Sequence, residues 1–476
     1  MSVPIDVAAL GNAVTTCWDD EIVPALRDYI RVPAKSPHFD ADWAAHGHID
    51  RVVADALAWA RARPIRGLAV DVVRLSGRTP VLVFDAPTTG GAGGTVLVYG
   101  HLDKQPEMTG WREGSGPWTP TIEDGKLYGR GGADDGYAMY AALAAIAALD
   151  AQGVARPRCF GLIETCEESG SYDLPPYLEL LAPRMGNVDF VVALDSGAGD
   201  YERVWSTTSL RGMASGTLAV SVLDEGVHSG DASGVVPSSF RIARRLLDRL
   251  EDAATGAIRP SVFHAPIPAE RVEQARAAAA ILGERMLGRF PWSGATRPMV
   301  DAGAEAVLAR TWRPALSVTG ADGLPPIANA GNVLRPSTRL KLSLRLPPTV
   351  DGEAAQAALG RLLVDDPPHG ASVRFEPDHA ASGWNAPPTA PWLAEALDLA
   401  SRTHFGQAPG AQGEGGTIPF MGMLGAMFPA AQYLITGVLG PKSNAHGPNE
   451  FLHIGYATRL TMCVAQALAA YAGRPA

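Results

Sequence analysis

The chain has 476 residues, four cysteines, and 40 basic against 50 acidic side chains, a formal net charge of −10. At roughly 100–200 residues per domain this length predicts two to four domains, and 46% apolar with 19% charged residues is an ordinary globular composition. The acidic balance argues against a general nucleic-acid binder, and no run approaches about 18 uninterrupted apolar residues, so no membrane span is expected. Cys17, Cys159, Cys166 and Cys463 form no CxxC pair, and the N-terminus lacks a basic segment followed by an apolar one; both point to a reducing, cytoplasmic setting.

In chain order, residues 44–63 place Ile49, Val52, Val53, Leu57 and Ala60 at helical spacing. TVLVYG (95–100) is a buried-strand pattern, YAMYAALAAIAALDAQG (137–153) a buried helix stopped by Gly153, and RCFGLIE (158–164) and DFVVALD (189–195) further strands around a helix near 175–185. Strands alternating with helices predict an α/β domain with a mainly parallel sheet covered on both faces.

The middle of the chain differs. Strand patterns at 212–223, 313–320, 339–347 and 371–377 enclose helical runs at 237–252, 270–289 and 352–366. The 339–347 strand alternates Leu340, Leu342, Leu344 and Leu346 with Lys341, Ser343 and Arg345. With one extra helix this is the β-α-β-β-α-β order of a ferredoxin-like α+β domain. The Pro-rich stretch 383–391 marks a return to the first domain. The expected division is 1–210 and 385–476 for the catalytic domain, interrupted by an inserted domain at 211–384.

Three predicted strands of the first domain run into His101-Leu102-Asp103, Glu167-Glu168 and Asp195. In open parallel α/β sheets ligands bind beyond the carboxyl ends of strands, so these groups should converge. Asp134 and Asp135 precede a helix, and His446 lies in a Gly/Pro/Asn-rich loop before the final one. Imidazole and carboxylate donors without thiolate suit a catalytic Zn²⁺ site, and a bridging carboxylate suits a pair of divalent ions. Asp103 is placed to orient His101. One of Glu167 and Glu168 can ligate while the other serves as a general base.

GHLDKQPE (100–107), GRGGADDG (129–136), ETCEESGS (164–171), the strand end at Asp195 and NAHGPNE (444–450) resemble, in order, the five metal-site motifs of the di-zinc metallopeptidases. That family includes carnosine-type and cytosolic non-specific dipeptidases, carboxypeptidase-G-type enzymes, aminoacylases and succinyl-diaminopimelate desuccinylase; the dipeptidase branch matches best. The resemblance implies two divalent metal ions, Zn²⁺ first and Mn²⁺ or Co²⁺ as alternatives. Asp134 would bridge them, its peptide link to Asp135 being cis, with His101 and Asp195 on one ion and Glu168 and His446 on the other. Glu167 would be the general base acting on a water between the metals, and Asp103 the partner of His101.

In the inserted lid and dimerisation domain, His228 in DEGVHSGDASGVVP (224–237) would stabilise the oxyanion, reaching the neighbouring subunit of a homodimer. Arg345 would hold the substrate's carboxylate. GEGGTIP (413–419) resembles the substrate loop, which implicates Glu414, Gly416 and Thr417. The implied activity is amide hydrolysis of dipeptides or short peptides with a free C-terminal carboxylate, with an N-acyl or N-carbamoyl amino acid as the alternative substrate. The chain departs from the family pattern at three places. Asp-Asp-Lys-Gly is Asp134-Asp135-Gly136-Tyr137, the usually aliphatic position after His-x-Asp is Lys104, and Asn329 is the nearest polar residue where relatives have a substrate-contacting Thr. All three are expected around the substrate.

Overall fold

The computed structural model describes residues 4–474 except Ala92 and Thr417. The chain forms two compact units: Met1–Thr207, Ala386–Gln412 and Met423–Ala476 make up the first, and Thr208–Asn385 with Gly413–Gly422 the second. The segment 413–422, expected with the catalytic domain, therefore groups with the inserted unit.

The first unit is built on a six-stranded sheet. Its order is Ala69–Val73, Val81–Ala86, Arg158–Glu164, Thr95–His101, Val188–Ala193, Gln432–Ile435. The last four strands run parallel and the first two are antiparallel additions at one edge. Every residue of Thr95–His101 is buried, as a parallel strand covered on both faces requires. The Ala138–Gln152 helix is buried along nearly its whole length and ends at Gly153, whose φ of 67° supplies the left-handed stop. Gly161 is needed for packing: a Cβ there would stand 2.0 Å from the Phe84 ring. The expected 44–63 helix is divided by Gly47 (φ 68°) into Trp43–His46 and His48–Arg61.

In the second unit four antiparallel strands have the order Ala315–Asp322, Ser337–Leu346, Gly212–Ser221, Ser372–Ala381. Numbered along the chain this is 2-3-1-4, the ferredoxin-like arrangement, with Ser239–Leu250 and Gly352–Val364 as its two helices. Leu340, Leu342, Leu344 and Leu346 pack with Leu218, Ile242, Leu246 and Leu359 in one core. Each such side chain contributes about 1.5–3 kcal/mol on burial. The 270–289 run is broken at Gly283 into Ala269–Leu282 and Arg285–Gly288. Among the described residues no helix is long and apolar enough to cross a membrane.

Candidate metal centre and active site

Three neighbouring parallel strands, Arg158–Glu164, Thr95–His101 and Val188–Ala193, end at the same sheet edge. Their continuations bring His101, the Glu167–Ser169 turn and Asp195 together. Gly100 makes this edge accessible to the loop beneath the Ala138–Gln152 helix, because a Cβ at Gly100 would meet Asp135 Oδ2 at 2.8 Å and Ala138 Cβ at 2.7 Å. Asp135 Oδ2 accepts the His101 N–H at 3.3 Å, and the Asp134–Asp135 peptide is cis.

Two donor trios share Asp134: His101, Asp134 and Asp195, and Asp134, Glu168 and His446. Within each, the candidate ligand atoms lie within 4.8 Å of one another. Asp134 Oδ1 is 3.5 Å from His101 Nε2, while Oδ2 is 2.9 Å from His446 Nε2. Asp195 Oδ2 lies 3.9 Å from His101 Nε2 and Glu168 Oε2 3.3 Å from His446 Nε2. The Glu167 carboxylate stands 4.0 Å from His101 Nε2 and belongs to neither trio. His101 Nε2 and Glu168 Oε1 are buried and find no hydrogen-bond partner among the described residues. Buried polar atoms are normally satisfied, and a divalent cation would complete both.

The electrostatics agree. Burial, then the charge of Asp195, raises Glu167 well above the usual carboxylate range; burial, then Asp134, does the same for Glu168. Burial with the charge of Asp134 pushes Asp195 up to about 6. Asp134, by contrast, is held low, because His101 and His446 outweigh its burial. A buried acidic cluster of this kind stays ionised only beside added positive charge.

Asp103 does more than accompany His101. Its two carboxylate oxygens accept the backbone N–H groups of Glu167 (3.1 Å) and Glu168 (2.9 Å). The nearest oxygen to His101 Nδ1 is the Asp103 carbonyl, at 3.1 Å, with the carboxylate at 3.5 Å. Sequence reading also passed over Gln105, whose Nε2 donates to Glu168 Oε2 at 2.6 Å, and Glu164, buried and bonded by Tyr99 and Ser171. Both sit inside the quoted motifs, but only the fold shows where they point.

The remaining candidates lie in the second unit. His228 ends the short strand Val227–His228, is exposed, and its Nδ1 accepts the Gly230 N–H at 3.1 Å. Arg345 lies on Ser337–Leu346 opposite Met213, its guanidinium held below its usual range by burial. Glu414 Oε2 accepts from Arg310 Nη1 at 3.1 Å, Gly416 is exposed, and Asn329 closes the exposed Ile327–Asn329 turn. Thr417 is outside the described residues. All four cysteines are free, and burial raises the Cys166 thiol.

Comparison with known proteins agrees with the motifs. The cysteinylglycine-S-conjugate dipeptidase of Corynebacterium striatum is 25% identical over 85% of this chain and 88% of its own length. Human carnosine dipeptidase 1 superposes with a TM-score of 0.77 at 22% identity, covering 98% of this chain and 99% of that one. The dipeptidase Dug1p of Saccharomyces cerevisiae gives 0.78 at 21% identity, with 99% of each chain covered. These last two likenesses establish the shared fold. Peptidase family M20/M25/M40 matches residues 97–470, a span that takes in every motif of the site, and the chain belongs to that family as a metallopeptidase, a hydrolase.

Proposed function

We propose that this chain hydrolyses the amide bond of dipeptides or short peptides that carry a free C-terminal carboxylate. The observation that carries the reading is Asp134, shared between two donor trios with one oxygen toward each imidazole. The dipeptidase relatives supply the substrate class. We assign His101, Asp134 and Asp195 to one divalent cation and Asp134, Glu168 and His446 to a second. Zn²⁺ fits this donor set, and Mn²⁺ or Co²⁺ can use it. When bound, such ions polarise a carbonyl oxygen and lower the pKa of water toward neutrality.

Glu167 takes a proton from the attacking water and returns it to the departing amine. Asp103 fixes the backbone from which both glutamates project, and Gln105 directs Glu168. In the second unit His228 steadies the oxyanion and Arg345 grips the carboxylate as a planar fork. Glu414, Gly416, Thr417 and Asn329 border the substrate. The same unit serves as lid and as the contact of a homodimer in a cytoplasmic enzyme, a reading supported by the family resemblance.

The test is a screen of the metal-reconstituted protein on dipeptides, N-acyl and N-carbamoyl amino acids. Glu167→Ala should retain metal and lose turnover of dipeptides. Hydrolysis confined to N-acyl or N-carbamoyl compounds would overturn the substrate class, and an active Glu167→Ala protein would overturn the mechanism.

A further inference from the structure

Arg130 and Glu450 form a buried ion pair, their side chains 1% and 0% exposed, joined through Arg130 Nη1 and Glu450 Oε2. The pair has more partners than each other. Arg130 Nη2 donates to the Gly447 carbonyl at 2.9 Å and Nε to the Pro106 carbonyl at 3.2 Å. Glu450 Oε1 accepts the Gly131 N–H at 2.9 Å, and the Glu450 carbonyl accepts the Gly129 N–H at 3.0 Å. One guanidinium and one carboxylate thus tie together three loops: the continuation of His101-Asp103, the segment before Asp134, and the segment that carries His446.

Such a pair is poorly explained as a source of stability. Desolvation of two buried charges roughly cancels their attraction, and apolar replacements of similar volume are often neutral or better. The backbone it grips supplies a reason for it. Lys442, Asn444, His446 and Asn449 all have positive φ, at 68°, 56°, 64° and 60°. Non-glycine residues persist in that region only where their surroundings over-determine them. By contrast, His101 ends a sheet strand and Asp195 closely follows another, so the sheet sets the backbone of the two residues that the other trio does not share.

We infer that Arg130 and Glu450 are positioning residues that hold the His446 loop against the Asp134 loop, and so set the divalent-cation affinity of the Asp134–Glu168–His446 trio selectively. The inference rests on the two-cation reading above. Calorimetric titration of the metal-free protein with Zn²⁺ tests it, using Glu450→Gln and the double variant Arg130→Met/Glu450→Leu, which leaves no charge unpaired should the single variant fail to fold. His446→Ala identifies which equivalent belongs to the trio.

Both variants should bind one equivalent as the unaltered protein does and that second equivalent about 10–100-fold more weakly, the usual effect of losing a group that orients a ligand. Unchanged affinity for both equivalents in a folded variant would overturn the inference, as would an equal fall in both. An unaltered protein that binds fewer than two equivalents would instead overturn the two-cation reading.

Discussion

Asp103→Asn separates two possible tasks of a buried carboxylate. In the structure each oxygen of Asp103 accepts one backbone N–H, from Glu167 at 3.1 Å and from Glu168 at 2.9 Å. Burial alone would raise its pKa, yet His101, Ser36 and the Glu168 N–H hold it below the usual value, so the charged form is the one the fold retains. Asparagine keeps one acceptor and turns an NH₂ toward the other N–H. One charge-assisted hydrogen bond is lost, about 1.5–3 kcal/mol, and the donor facing the NH₂ adds a penalty of about 1 kcal/mol or more. The expected loss is therefore about 2–4 kcal/mol, and larger for Asp103→Ala, which removes both acceptors. Thermal unfolding of the metal-free proteins should rank unaltered above Asn above Ala, with shifts of several degrees. The carbonyl oxygen that lies 3.1 Å from His101 Nδ1 is untouched by either change, so Zn²⁺ binding at His101 should survive better than binding at Glu168. An Asn variant within about 0.5 kcal/mol of the unaltered protein, the range of an inert surface change, would refute this account of the Glu167–Glu168 turn.

Glu164 gives a pH signature. Burial, then the charge of Asp103, pushes it up to about 8, so between about 4.5 and 8 the folded chain holds a proton that the unfolded chain has released. Stability of the metal-free protein should fall as pH rises through that window, by up to about 1.4 kcal/mol per pH unit for this one group; Glu164→Gln should remove that contribution, matching the unaltered protein near pH 5 and exceeding it above pH 8, and parallel unfolding curves would refute the assignment. Lys104→Met should cost little: Lys104 Nζ donates to the Tyr29 and Val32 carbonyls at 2.6 and 2.7 Å, but Tyr29 O also accepts from Val32 N and Val32 O from Ala34 N. Neither carbonyl is orphaned, so a change of about 1–1.5 kcal/mol is expected in chemical unfolding; a loss above about 4 kcal/mol would show that the ammonium itself holds the site.

Much of the site was legible because a parallel sheet converts sequence order into spatial order. His101, Glu167, Glu168 and Asp195 each follow an apolar run of strand length, and adjacent parallel strands must deliver such residues to one edge. The alternation from Leu340 to Leu346 was equally plain, since one face of that strand is core. Other features carry no local signal. Ala69–Val73 and Val81–Ala86 are joined without an intervening helix and pair antiparallel, which the alternation of strands and helices could not foretell. The grouping of 413–422 with the second unit depends on contacts made across the sequence, such as Arg310 with Glu414. Asp103 looks like a companion of His101 by spacing, while its carboxylate serves two amides more than sixty positions away.

The departures from the family pattern around Asp134 also change meaning once placed in the fold. Gly136 stands where a lysine is usual, and a Cβ there would lie 2.3 Å from the Tyr29 ring and 2.7 Å from the Gly131 carbonyl. Tyr29 occupies that space, donating its hydroxyl to the Leu102 carbonyl at 3.0 Å. The Lys104 ammonium lies 3.7 Å from the centroid of the same ring, a cation–π contact in a fully buried setting. The stem of Lys104 also fills the space beside Gly131, where a Cβ would come within 2.7 Å of Lys104 Cγ. The missing lysine and the added one are thus two sides of one packing arrangement around Tyr29. Tyr137 completes it by donating to the carbonyl of Leu194, the residue before Asp195, and so links the Asp134 loop to the neighbouring strand end. Gly136, Tyr137 and Lys104 are all buried and bonded inward, next to the segments that carry Asp134 and Asp195. Expected around the substrate, these positions meet Tyr29, the Gly131 backbone and the Leu194 carbonyl in the structure.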